Sequence, residues 1–111
     1  AAGTSDPQIR RVLQAIHEGP QEDWSLEALA RHGGLSRSVL AERFKAIVGQ
    51  PPIDYLTRVR MASAARMLET AELSVADVAF RVGYQSDASF HKAFRRMMGV
   101  SPSAYRHARL R

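Results

Sequence analysis

At 111 residues the chain is long enough for one domain, and a hydrophobic fraction of 45% fits a packed core rather than a disordered tail. With no cysteine, no i,i+4 pair among His17, His32, His91 and His107, no glycine-rich phosphate loop and no GxSxG, it offers no catalytic, cofactor or metal site. Sixteen Lys and Arg against eleven Asp and Glu leave a net charge of +5, which draws polyanions, although a solvated basic surface would carry the same charge.

The opening AAGTSDPQIRR has no apolar h-region, so no secretion signal is expected, and residues 1–5 read as a disordered lead or an expression scar. No apolar run approaches the roughly 18 residues of a membrane span. Asp6 and Pro7 open a first helix, as N-cap and first helical residue, with Ile9, Val12, Leu13 and Ile16 as its stripe and Gly19-Pro20 as its end. Ser25 starts a second helix, Leu26–His32, with Leu26, Leu29 and Ala30 inward, stopped by Gly33-Gly34. Ser36 caps a third, running to about Val48, with Val39, Leu40, Phe44, Ile47 and Val48 on one face.

Pro51-Pro52 begins a long helix to about Leu68, buried through Ile53, Leu56, Val59, Ala64 and Leu68. After the polar break at Glu69–Leu73, Ser74 starts a short helix with Val75, Val78 and Ala79, ended by Gly83. Ser86 caps a sixth, with Phe90, Ala93, Phe94 and Met97 inward, and Ser101-Pro102 starts a last one through Tyr105. No segment alternates Val, Ile and Thr as a strand would. The expected class is all-α with seven helices.

The chain also repeats itself. Ser25, Leu26, Leu29, Ala30 and Gly34 return 49 positions later as Ser74, Val75, Val78, Ala79 and Gly83. One inserted residue makes the offset 50, and Ser36, Leu40, Phe44, Lys45, Gly49, Pro52 and Tyr55 then match Ser86, Phe90, Phe94, Arg95, Gly99, Pro102 and Tyr105. Each copy runs cap, short helix, glycine, turn, cap, longer helix, which is the layout of a helix-turn-helix. Helical hairpins also repeat in solenoids, but those stack several near-identical copies. Here a long helix separates just two.

The stretch GYQSDASFHKAFRRMMGVSPSAYR, Gly83 to Arg106, closely resembles the signature of AraC/XylS-family transcription regulators. LEALARHGGLSRSVLAERFKAIVGQPPIDYLTRVRMASAARML resembles the first unit and linker helix of that family, and the resemblance covers about residues 7 to 108. It implies an AraC-type DNA-binding domain over 6–111: a first helix-turn-helix at about 7–49, a linker helix at about 51–69 and a second helix-turn-helix at about 74–108. The second helix of each unit would enter successive segments of the major groove of double-stranded DNA. A linker of roughly 17 residues is about 26 Å long at ~1.5 Å per residue. With the bodies of both units that approaches the ~34 Å repeat of DNA, and bending would supply any shortfall.

On the first recognition helix Arg37, Ser38, Ala41, Glu42 and Lys45 lie off the apolar face. By resemblance Ser38, Ala41 and Glu42 are base-facing, and Glu42 departs from the Arg frequent there. Its carboxylate either accepts from cytosine N4 or pairs with Arg43 or Lys45, with equal weight. Asp87, Ala88, His91 and Lys92 are the outward positions of the second recognition helix, Lys92 being the best guanine or phosphate contact and Asp87 suiting the helix dipole. Arg43, Lys45, Arg95 and Arg96 suit phosphates, as do the N–H groups at the ends marked by Ser25, Ser36, Ser74 and Ser86. Arg58, Arg60 and Arg66 of the linker helix read as solvent-facing, with contact to the DNA backbone by one of them as the alternative. Phe44, Phe94, Tyr55, Tyr105 and Trp24 read as core.

A sequence-specific transcription regulator is therefore the leading expectation, in a bacterial cytoplasm and on its nucleoid. The family implies RNA polymerase as a further partner, an N-terminal effector-binding or dimerisation domain absent from this chain, and no membrane. A naturally small stand-alone activator is the less favoured alternative to such a fragment. The rival reading is a helical protein-interaction module whose basic face docks an acidic partner. DNA-repair alkyl transfer, found beside a related helical domain, needs a nucleophilic cysteine that is not here.

Overall fold

The structure, a computed structural model, describes residues 4–110. Among them are seven helices and no strand: α1 (Pro7–Glu18), α2 (Leu26–Gly33), α3 (Arg37–Val48), α4 (Pro52–Leu68), α5 (Val75–Arg81), α6 (Asp87–Met98) and α7 (Pro102–Arg109). They form two compact units divided after Leu56, so of the 17 residues of α4 the first five belong to the first unit and the other twelve to the second. Residues 1–3 of the expected lead lie outside the described residues. Thr4 is tied down: its hydroxyl accepts the Asp6 N–H at 3.2 Å and its carbonyl accepts Arg10 Nε–H at 3.2 Å.

Six of the seven helices, all but α4, begin where a side-chain oxygen satisfies otherwise orphaned backbone donors. The Asp6 carboxylate accepts the N–H groups of Gln8 and Ile9 at 3.0 and 3.1 Å, with Pro7 following. Ser25, Ser36, Ser74, Ser86 and Ser101 each accept from the residue three further on. A cap of this kind contributes about 1 kcal/mol.

In the first unit Ile9, Val12, Leu13 and Ile16 of α1 bury against Leu29 and Ala30 of α2 and Leu40 and Phe44 of α3. Phe44 meets the Tyr55 ring edge-on at 5.7 Å, and the Tyr55 hydroxyl lies 2.6 Å from His17 Nε2. Trp24, expected in the core, is only half-buried: its indole N–H donates to the Gly19 carbonyl at 2.8 Å and its ring stands against His32. That polar handle holds the ring at the edge of the unit. Tyr55 and Tyr105 are likewise half-buried.

The second unit packs Met61, Ala64 and Leu68 of α4 with Val78, Ala79 and Val82 and with Phe90 and Phe94 of α6. Its rings form a chain, Tyr84 to Phe90 to Phe94 to Tyr105, at 5.6–5.7 Å spacings. Arg106 of α7 donates from Nε to the Leu68 carbonyl at 3.1 Å, placing a cation at the carbonyl end of α4.

Three expected inward residues point out. Val39 is 37% exposed, Ile47 42% and Ile53 38%. Val39 sits ~100° around the helix from Leu40, off the buried line. Ile47 is in line with Leu40 and Phe44 but occupies the last turn of α3, and Ile53 the first turn of α4, so their exposure reflects helix ends. Val59 is half-buried, and Met61, outside the expected stripe, is buried instead.

Phe94 touches both Phe90 and Tyr105, so Phe94→Ala should destabilise the second unit by about 3–5 kcal/mol, read from urea unfolding. Burial pushes the Tyr55 phenol above its ordinary 10.0. The folded state then holds that proton more tightly than the unfolded chain does. Its contribution is complete below the unfolded-state pKa and is lost as pH climbs through the folded one. Stability measured from pH 8 to 11 should accordingly fall less steeply in Tyr55→Phe than in the parent.

Candidate nucleic-acid interface

Each unit carries one helix pair joined through a left-handed glycine: Gly34 at φ 71° between α2 and α3, Gly83 at φ 106° between α5 and α6. A side chain rarely tolerates that backbone region, which explains glycine at both turns. The first residues of the helices that follow, Arg37 and Ser38 of α3 and Asp87 and Ala88 of α6, are exposed.

On α3 the side chains of Arg37, Ser38, Glu42 and Lys45 are exposed and Ala41 is half-buried. A shallow groove lined by Leu26, Ser36, Arg37, Ser38 and Ala41 runs beside them. On α6 Asp87, Ala88, Lys92, Arg95 and Arg96 are exposed; His91 is half-buried, its ring edge-on to Phe90 at 6.2 Å. The expected base-facing residues are thus gathered on the open faces of two helices. Cations occupy the later turns, at Lys45 and at Arg95 and Arg96.

Arg43 departs from the expected set. Nη1 lies 3.5 Å from the Asp6 carboxylate and donates to Gln8 Oε1 at 2.8 Å, so this side chain ties α3 to the start of α1. Glu42 forms no ion pair with Arg43 or Lys45 among the described residues, so its carboxylate is free for an external donor. The serine hydroxyls at the helix starts are occupied as caps, each accepting one backbone N–H.

Arg60, expected to face solvent, is half-buried with its guanidinium over the Tyr84 ring at 5.4 Å. Arg66 reaches Ser63 Oγ at 3.4 Å. Phe80 of α5 is 77% exposed, where the repeat puts Arg31 in the first unit. Sequence reasoning passed over Arg60 because arginine on a long helix ordinarily solvates. The repeat register held a usable signal, since Arg60 stands 49 residues after Arg11.

Two glycine-turn helix pairs, each with a supporting helix before it, define a helix-turn-helix protein. A family model described as a helix-turn-helix domain matches residues 29–108. An AraC-like transcription regulator of Streptomyces lividans is 43% identical over 105 residues, 95% of this chain but 34% of that protein. The DNA-binding domain of AdpA, a global transcriptional factor solved in complex with a target DNA, superposes with a TM-score of 0.85 at 38% identity, covering 94% of this chain and 93% of that one. The C-terminal domain of AraT, a response regulator from Geobacillus stearothermophilus, gives 0.89 at 38% identity over 95% and 88%. This chain belongs to the AraC-type helix-turn-helix family, and it spans about a third of the length of the Streptomyces relative.

Because the Arg43–Asp6 contact is partly solvated, Arg43→Ala should cost no more than about 1 kcal/mol of stability. Lys45→Ala, with no intramolecular partner among the described residues, should leave the denaturation midpoint unmoved.

Proposed function

We propose that this chain binds double-stranded DNA sequence-specifically and regulates transcription, with α3 and α6 as reading helices in successive major-groove segments. The carrying observation is the pair of matched helix-turn-helix units with uncovered polar faces on α3 and α6. The near-complete match to a domain solved on its target DNA supports it.

In the first unit Arg37, Ser38, Ala41 and Glu42 meet base edges. Ala41 offers only a methyl contact to thymine, and Glu42 accepts from cytosine N4. In the second unit Lys92 reads guanine O6 or N7, His91 donates to a base edge, and Asp87 and Ala88 border the same groove. Lys45, Arg95 and Arg96 grip phosphates, helped by backbone N–H groups at the starts of α2, α3, α5 and α6 near Ser25, Ser36, Ser74 and Ser86. Arg43 is set apart from that group, because its partners are Asp6 and Gln8. A bacterial cytoplasmic setting on the nucleoid, contact with RNA polymerase and a sensor or dimerisation domain in the remainder of a longer protein belong to the same reading.

The test is selection from a randomised duplex library with purified protein, repeated across salt concentrations. Two short enriched blocks about one helical turn apart, with affinity falling steeply in salt, are expected. Weak, salt-insensitive association without enrichment would favour a protein-docking module instead. On the selected site Lys92→Ala/Arg95→Ala should weaken binding more than Arg58→Ala; equal losses would refute the placement of α6 in the groove.

A further inference from the structure

Each of the two turns, before α3 and before α6, lies against an arginine from the helix that precedes the pair. In the second unit, a Cβ built on Gly83 would lie 3.0 Å from Arg60 Nη2 and 3.1 Å from both Cζ and Nε. Three guanidinium atoms at nearly equal distance mean that the flat face of the group lies against the glycine. The same guanidinium stands over the Tyr84 ring, and Tyr84 in turn packs on Phe90 of α6. In the first unit Arg11 Nη2 donates to the Gly33 carbonyl at 3.2 Å and lies 3.8 Å from a Cβ built on Gly34. Gln8 assists there, donating to the Gly34 carbonyl at 3.1 Å. Arg11 and Arg60 are separated by the same 49 residues that separate Gly34 from Gly83, so the repeat offset extends to this arginine of each preceding helix.

We propose that Arg11 and Arg60 are matched positioning residues, each fixing its own glycine turn and so the presentation of the following reading helix to DNA. The proposal rests on the DNA-reading function above and adds residues that touch no base. Its physical basis is geometric. A planar guanidinium can lie flat on a backbone that lacks a Cβ and can stack on an aromatic face, while its edges still donate to carbonyls. An ammonium has the charge without the plane. Recognition by base contacts demands a reading helix held to a fraction of an ångström, so loosening the turn should cost discrimination before it costs attraction to phosphate.

The experiment has two arms. Amide hydrogen exchange on the free protein follows the turn hydrogen bonds: Gly34 N–H to Arg31 and Leu35 N–H to Ala30 in the first unit, Gly83 N–H to Phe80 and Tyr84 N–H to Ala79 in the second. Arg60→Ala should speed exchange at Gly83 and Tyr84 by about tenfold and leave Gly34 and Leu35 unchanged; Arg11→Ala should do the reverse. Duplex selection then reads the consequence. Arg60→Ala should lose the block read by α6 and keep the block read by α3, with the salt slope unaltered, and Arg11→Ala the opposite.

Arg60→Lys keeps the charge in a smaller perturbation and should resemble Arg60→Ala in both arms. Unchanged turn exchange in the alanine variants, or full rescue by lysine, overturns the proposal. So does a uniform loss of affinity across all sequences with a salt slope lowered by about one, which would make the arginine a phosphate contact. If the parent protein selects no sequence, the DNA-reading function fails by itself, while the exchange arm still decides whether the arginines hold the turns.

Discussion

The left-handed turn is the constraint on which each unit depends. A short helix must hand over to a longer one at a steep angle, and the backbone achieves this by passing through φ 71° at Gly34 and φ 106° at Gly83. Once the turn is set, Leu40 and Phe44, or Phe90 and Phe94, fall onto the core and the opposite face of the helix is left to solvent. Exposure of α3 and α6 is thus a by-product of where their phenylalanines must go. The interface needs no pocket, because the ligand is a groove and the protein supplies the protrusion.

Burial and reading are separated on each of these helices. The core side carries Leu40 and Phe44, or Phe90 and Phe94, and the outward side is mostly short or polar, with Val39, Ile47 and Met98 as apolar exceptions. Arg43 marks the boundary in the first unit: it follows Glu42 directly, yet its contacts are to Asp6 and Gln8. On the proposed reading, neighbours in sequence serve stability and recognition respectively, about 100° apart on the same helix.

Much of this was legible from residue order. Serine and aspartate before apolar periodicity, glycine after it, and proline at Pro7, Pro52 and Pro102 located seven helices, because caps and stops are local chemistry. The internal repeat located the two turns. Matters that depend on distant partners were not legible. Val39, Ile47 and Ile53 are apolar yet exposed, since spacing alone does not say where a helix outruns its cover. Trp24 looked like core and sits at an edge because its N–H found the Gly19 carbonyl. Arg43 looked like a phosphate contact and Arg60 like a solvated cation, and only the folded chain brings Asp6 to the one and Gly83 to the other. For the interface, sequence singled out the helices and their outward residues, while the intramolecular ties of the cations required coordinates.

Glu42 and Lys92 occupy equivalent positions in the two repeats, and they carry opposite charge. On the proposed reading, a protein with unlike heads has a front and a back. A site with its two blocks exchanged would set a carboxylate against guanine acceptors and an ammonium against a cytosine amino group, both electrostatically wrong. One copy of the chain therefore recognises a direction along the duplex as well as a location. Where it sits, everything attached to it faces one way along the DNA.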